Sequence, residues 1–347
     1  MAITGANAII AGVTKAGTTS LFVSLQTHPE VATSSVKETR YFLPARYGQP
    51  LDPPPVYESY FTHAEDRPVR LEATPAYFYG GAPLVEQIVG TLGPYVRIIV
   101  VLREPVSRLV SFFTFQKIRL RLPEEMTLEQ YLAIADGMDD TEFADPANEK
   151  WFGFRGGCYA DYLPAWIDTF GPRLRVVFFD DLMAVPERVL HDLADWLGID
   201  PDAFPEGELS SENRTTGFRL RSFQRFALFA NNRMERLLRR HPVFKQRLRA
   251  AYYRLNGRAA RESVRSAVRA EVEERYREPN QRLTGQLREA GITELPGWLP
   301  VPSLPLITHS PRGRSGLGEE AGPGLSLPVE GPARRPVARR PRARGPG

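Results

Sequence analysis

Apolar residues in this chain fall into short unbroken runs separated by stretches with helical spacing. The runs Asn7–Gly12, Val69–Glu72, Val96–Arg103 and Leu174–Asp180 are each bounded by Gly, Pro or charge. Runs of that length and composition predict buried strands. Between and after them, Thr18–Thr27, Pro83–Leu92, Pro105–Arg119, Leu128–Asp136, Tyr159–Phe170 and Pro186–Leu197 predict helices. Alternating strands and helices imply an α/β fold with a mainly parallel sheet covered on both faces. Ligands of such sheets bind beyond the carboxyl ends of the strands. Residues 219–290 read as arginine-heavy helices. After Trp298 the periodicity dissolves into Pro, Gly, Arg and Ser. The expected organisation is one domain over residues 1–300 and a disordered Pro/Arg-rich tail over 301–347.

Composition changes this picture little. At 347 residues the chain suffices for one large domain with a substantial core. The net charge of +4 resides in the tail: eight Arg and three Glu give residues 301–347 a charge of +5, leaving −1 for the rest. A single cysteine, Cys158, rules out an intrachain disulfide and a cysteine-cluster zinc site. No apolar run approaches the ~20 residues of a membrane span. The start, MAITGANAIIAGV, has no basic leader region. A cytoplasmic protein is therefore expected.

The informative stretch is Ala11–Phe22, AGVTKAGTTSLF, directly after the first apolar run. A strand, a glycine loop and a helix start in that order form an anion cradle of loop and helix N–H groups. Gly12 and Gly17 keep the spacing of the G-x-x-x-x-G-K-[ST] loop of nucleotide triphosphatases, but Thr18 stands where its lysine belongs. Lys15, inside the loop, is its only lysine. A second group is Arg103-Glu104-Pro105 followed by Ser111: a strand delivers Arg103, Pro105 opens a helix, and Ser111 lies about two turns into it. An arginine fork and a hydroxyl so placed can grip one phosphate from two sides.

Together these motifs resemble the sulfotransferases that use 3′-phosphoadenylyl sulfate (PAPS). Gly12-Val13-Thr14-Lys15-Ala16-Gly17-Thr18-Thr19-Ser20-Leu21 is similar to the family's loop for the 5′-phosphosulfate, and Arg103 with Ser111 to its 3′-phosphate pair. His28-Pro29-Glu30-Val31 and Lys37-Glu38-Thr39-Arg40-Tyr41-Phe42 resemble the segment that carries the general base in heparan-type members. Glu72-Ala73-Thr74-Pro75-Ala76-Tyr77 resembles a segment bordering the acceptor cleft. Ala73 stands where several heparan-type enzymes have lysine, which argues against a highly anionic sugar acceptor. Softer matches are Gly157–Trp166, Phe178–Leu182 and Leu283–Trp298. Asn213–Ser222 lies where the family closes a loop over the adenosine, with Arg219 or Arg221 in place of the usual basic residue.

The resemblance implies a P-loop-type sheet and a sulfuryl transfer from PAPS to a hydroxyl or amine of a carbohydrate, glycolipid or natural product. It implies Lys15 and Glu38 as catalytic groups. Lys15, Ala16, Gly17, Thr18, Thr19, Ser20, Arg103, Ser111 and Arg219 or Arg221 would hold the donor; Lys37, Tyr41, Phe42, Thr74 and Tyr77 would line the acceptor site. No metal is implied, because sulfate bears less charge than a γ-phosphate and Lys15 supplies the cation. The family's Golgi members carry a membrane anchor that this sequence does not show. Aryl-type members use a histidine base, but of His28, His63, His191, His241 and His309 only His28 meets a matched segment, at a turn.

Two rivals remain. A P-loop kinase or ATPase using ATP and magnesium would need a strand-end aspartate, for which Asp180 or Asp181 is available. A basic adaptor would use the arginines between Arg233 and Arg269 to grip nucleic acid, but aromatic interleaving there is sparse. The expected partner is a small-molecule or glycan acceptor, not a nucleic acid.

Overall fold

Five parallel strands stand in the order β2–β3–β1–β4–β5: β1 (Ala8–Gly12), β2 (Val31–Thr33), β3 (Val69–Ala73), β4 (Arg97–Leu102) and β5 (Leu174–Phe178). The computed structural model describes residues 5–64, 67–205, 216–218, 257–259 and 264–300. Ile9, Ile10 and the whole of Ile98–Leu102 are shielded from water. Continuous apolar runs such as these suit strands buried on both faces. From β1 the chain runs outward to β2, and from β4 it runs the opposite way to β5. The crevice between the carboxyl ends of β1 and β4 is thus the topological switch point, where open α/β sheets bind ligands.

Helices cover the sheet: α1 (Thr18–Gln26), α2 (Pro54–Glu58), α3 (Gly81–Leu92), α4 (Pro105–Ile118), α5 (Leu128–Asp136), α6 (Asp140–Phe143), α7 (Leu163–Phe170), α8 (Phe179–Ala184) and α9 (Pro186–Leu197). After the short antiparallel pair β6 (Thr216–Phe218) and β7 (Gly257–Ala259) come α10 (Ser266–Arg275) and α11 (Arg277–Glu289). The core reaches the site through Phe78. Its ring stacks on Trp166 at 14°, and the Trp166 indole N–H donates to the Phe78 carbonyl at 3.0 Å. A Cβ on Gly12 would stand 2.6 Å from Phe78 Cβ, so the end of β1 must be glycine.

Four expectations need correction. The three-residue β2 is too short to leave a periodic signal and was not anticipated. The expected strand to Asp180 ends at Phe178, and α8 begins at once with Asp180 and Asp181 in its first turn, where carboxylates favour a helix N-terminus. The expected helix from Tyr159 is a 3₁₀ turn, Tyr159–Asp161, and α7 starts only at Leu163 with a proline in its first turn. The helix expected from Pro83 begins two residues earlier, at Gly81. Of the arginine-heavy segment, α10 and α11 are helical. Residues 219–256 and the tail 301–347 lie outside the described residues.

Candidate active site

The glycine loop leaves β1 and is pinned at both ends. The Val13 N–H donates to Val101 of β4 at 3.0 Å, and the Ala16 N–H returns to the Val13 carbonyl at 3.2 Å. Lys15 and Gly17 both adopt left-handed backbone, at φ 71° and 84°. Gly17 tolerates that conformation; moreover, a Cβ there would lie 2.9 Å from the Phe179 ring. Lys15 pays for it in strain, which single residues hold at functional sites. Gly17 is also the N-cap of α1. It offers no capping side chain, and the first turn holds no acidic residue. Helix N-termini of this kind attract anions through their first-turn N–H groups, here those of Thr18, Thr19 and Ser20. Thr18 and Ala16 are buried, whereas Thr19 is exposed.

Arg103 follows β4 across the switch point. Its guanidinium donates to the Lys15 carbonyl at 3.0 Å and lies 4.4 Å over the Phe179 ring. Its own carbonyl accepts from the Tyr159 hydroxyl at 2.7 Å. The adjacent Glu104 caps α4, accepting from Val106 N–H at 2.9 Å and Ser107 N–H at 2.7 Å. That cap fixes where α4 starts and so places half-buried Ser111 two turns on. Burial pushes the Lys15 ammonium down to about 8; neighbouring Arg103 adds to the shift and Glu38 opposes it. The Lys15 Nζ lies 4.5 Å from the Phe115 ring centre. Lys15, Arg103 and Glu38, far apart in the chain, therefore share one electrostatic site.

Glu38 sits on the loop after β2, beyond the carboxyl ends of β2 and β3. Its N–H donates to Ala73 at 2.9 Å, its backbone is left-handed at φ 64°, and its carboxylate, about half exposed, pairs with Lys37 at 3.1 Å. Arg40, also left-handed at φ 59°, donates its N–H to Thr74 Oγ1 at 3.2 Å. Its side chain reaches toward Glu149 at 3.9 Å, which Arg121 approaches at 3.6 Å. A surface pocket of about 250 Å³ is lined there by Arg121, Pro146, Ala147, Glu149 and Lys150. These basic residues carried no role in the sequence reading, since only the fold brings them together.

The expected acceptor contacts Tyr41, Phe42, Thr74 and Tyr77 are all buried. Tyr41 donates its hydroxyl to Asp52 at 2.7 Å. Thr74 and Tyr77 serve a group to which the sequence reading gave no role, Glu72. Fully buried at the end of β3, the Glu72 carboxylate accepts from Tyr57 at 2.6 Å, Tyr77 at 2.8 Å, Thr74 at 2.9 Å and the Thr39 hydroxyl. Burial raises its pKa; the four donors counter that only in part. The only hint in the sequence was a carboxylate with hydroxyls two and five residues on.

Tyr159 is buried, as is Cys158, whose thiol burial pushes up to about 12. His28 accepts the Glu30 N–H at Nδ1 (3.1 Å), so Nε2 carries the proton and donates to Asp200 at 2.7 Å. It is a structural imidazole. Asp180 accepts the Trp298 indole N–H at 3.1 Å. Arg219 and Arg221 lie outside the described residues. Among the described residues no group of three or more His, Cys, Asp or Glu is placed to hold a metal, and no helix is long and apolar enough to cross a membrane.

The family model for the sulfotransferase domain matches residues 6–243, which contain the glycine loop, Glu38, Arg103 and Ser111. The chain belongs to the sulfotransferase domain family. It is 29% identical over 197 residues to heparan sulfate glucosamine 3-O-sulfotransferase 3B1 of Homo sapiens, covering 55% of this chain and 46% of that protein. Heparan sulfate glucosamine 3-O-sulfotransferase 5 of Homo sapiens is 25% identical, over 56% of this chain and 54% of the relative. The chain thus spans about half the length of the curated relatives it matches. A sulfotransferase crystal structure from Alicyclobacillus acidocaldarius shares the fold at a TM-score of 0.52 and 21% identity, covering 68% of this chain and 95% of that one. Sulfotransferases of this family take their sulfuryl group from PAPS, and none of the relatives named here is described as a kinase.

Proposed function

We propose that this chain moves a sulfuryl group from PAPS to a hydroxyl or amine acceptor at the carboxyl ends of β1 and β4. The observation that carries this reading is the Arg103–Lys15 contact across the switch point: the Arg103 guanidinium donates to the Lys15 carbonyl, two residues before the helix N-cap at Gly17, and on this reading both cations serve one anion there. The first-turn N–H groups, with Thr18 and Thr19, hold the 5′-phosphate; Arg103 and Ser111 hold the 3′-phosphate. Glu38 takes the acceptor's proton as its oxygen or nitrogen bonds to sulfur. The bond from sulfur to the bridging oxygen breaks, and Lys15 meets the charge that develops on the leaving oxygen. Alignment and electrostatics supply the rate, as in phosphoryl transfer.

The relatives' names point to amino-sugar glycans as the first acceptors to try. Ala73 is fully buried, with no cation to offer there, which favours a less anionic acceptor. The deciding test is calorimetric titration with adenosine 3′,5′-bisphosphate (PAP) against ADP and AMP. Preferential PAP binding, weakened by Arg103→Ala and Ser111→Ala, supports the reading. Equal affinity for AMP, or ADP binding strengthened by magnesium, overturns it. With an acceptor in hand, Glu38→Gln should abolish turnover while sparing PAP affinity.

A further inference from the structure

The surface pocket of about 250 Å³ lined by Arg121, Pro146, Ala147, Glu149 and Lys150 is connected to both groups assigned to catalysis. On one side, Lys15 and Arg119 share the Phe115 ring, at 4.5 and 5.4 Å from its centre. Arg119 is the C-cap of α4, and Arg121 follows two residues later. The turn between them is tight: Leu120 is left-handed at φ 58°, and the Arg121 N–H returns to the Gln116 carbonyl at 3.0 Å. That turn fixes how Arg121 leaves the helix. On the other side, Arg40 stands two residues after Glu38 and reaches Glu149 at 3.9 Å, which Arg121 approaches at 3.6 Å.

Neither separation is a hydrogen bond, so the Glu149 carboxylate attracts both guanidiniums and closes neither fork. Arg40 and Arg121 are each about half exposed, and ion pairs so exposed add little to stability. Tyr47 lies within electrostatic reach of Arg40, Glu149 and Asp145, so Asp145 belongs to the same cluster. Its carboxylate accepts the Ala147 N–H at 2.8 Å. The Lys150 ammonium lies 5.5 Å from the Trp151 ring centre, and among the described residues no carboxylate pairs with it. Three cations, Arg40, Arg121 and Lys150, thus stand with two carboxylates, Glu149 and Asp145. One positive charge is left over.

We propose that this pocket takes a single carboxylate of the acceptor, held by Arg121 and Lys150, and that Glu149 is the residue that limits the acceptor to one such charge. The proposal rests on the sulfuryl-transfer reading above and names its acceptor class. That class is a hydroxyl- or amine-bearing molecule with one isolated carboxylate near the reacting group, such as a uronic acid. A planar carboxylate matches an open arginine fork. A second anion would meet Glu149, and a like-charge contact of this kind discriminates between ligands. Glu149 touches no reacting atom in this scheme. It acts on which acceptor is admitted.

The test uses three hexasaccharides of graded charge: unsulfated heparosan, its neutral carboxyl-reduced form, and heparin. Each is titrated into the full chain as wild type, Glu149→Gln and Arg121→Gln, with and without PAP. Wild type should bind heparosan about fivefold or more tighter than the carboxyl-reduced form, and heparin no tighter than heparosan. Glu149→Gln should raise the ratio of heparin to heparosan affinity about fivefold, with PAP affinity unchanged. Arg121→Gln should lose the preference for heparosan over its carboxyl-reduced form. A merely structural role for either residue would move the melting temperature and leave these charge preferences alone. Equal wild-type binding of heparosan and its carboxyl-reduced form overturns the proposal, as does binding of none of the three. An unchanged heparin-to-heparosan ratio in Glu149→Gln overturns the role of Glu149. A wild type that binds no PAP overturns the donor reading instead, and the titrations without PAP then decide the pocket by themselves.

Discussion

The Tyr77 hydroxyl donates to the Glu72 carboxylate at 2.8 Å and, with the same oxygen, accepts the Phe42 N–H at 3.2 Å. One phenol thereby joins a buried charge on β3 to the loop that carries Glu38. Thr39 makes a second such link and Thr74 a third, through the Arg40 N–H. The loop after β2 is held by a carboxylate that is itself fully buried.

Glu72 should leave a signature in the pH dependence of stability. Its folded pKa lies above its unfolded value, so the native state binds the proton more tightly. Stability from this group is therefore present at low pH and lost as pH rises through the raised pKa. Denaturant melts of wild type and Glu72→Gln across the acid-to-neutral range should show this component in the wild type only. Parallel pH profiles would refute it.

Lys15 has the opposite linkage. Its folded pKa is about 8 against 10.5 for the free side chain, so between those values the native state has already released a proton that the unfolded chain keeps. Its contribution to stability accordingly rises as pH increases through that window. A bound polyanion restores the ammonium. PAP binding near pH 8.5 should thus take up protons, seen as a buffer-dependent binding heat, and affinity should fall as pH rises further. Lys15→Met should bind PAP more weakly with no such uptake.

Gly17→Ala should disrupt the loop twice over. The left-handed backbone at φ 84° costs an alanine about 1–2 kcal/mol, and its Cβ would press on Phe179, the ring beneath Arg103. A lower melting temperature with a disproportionate loss of PAP affinity is expected. A melting shift alone would show that the loop relaxes without moving Arg103.

Glu104→Ala removes the cap of α4 and should cost about 1 kcal/mol in chemical denaturation. Because the cap lies between Arg103 and the helix that carries Ser111, PAP affinity should drop as well, although Glu104 has no contact with the donor in the proposed site. Glu104→Asp, which keeps a capping carboxylate, should restore most of both.

Much of this protein is legible along the chain, because some constraints are local. The unbroken apolar runs at Ile9 and Ile98–Leu102 specify strands buried on both faces. Gly12 and Gly17 specify a loop that no side chain can enter, and Pro105 after Arg103 specifies a helix start at a strand end. Those features sufficed for the fold class and for the family. Other features depend on partners distant in sequence. Tyr41, Phe42, Thr74 and Tyr77 are expected from the sequence to line an acceptor site, yet all four are buried. Whether a hydroxyl meets solvent or a buried carboxylate depends on which elements pack over it. Glu72 collects donors from residues 39, 57, 74 and 77, and Arg108 reaches from α4 to the carbonyls of Thr14 and Gly153. Apolar periodicity records which face of an element turns inward. The energy of a buried charge is decided by the groups brought beside it, and only the tertiary structure assembles those.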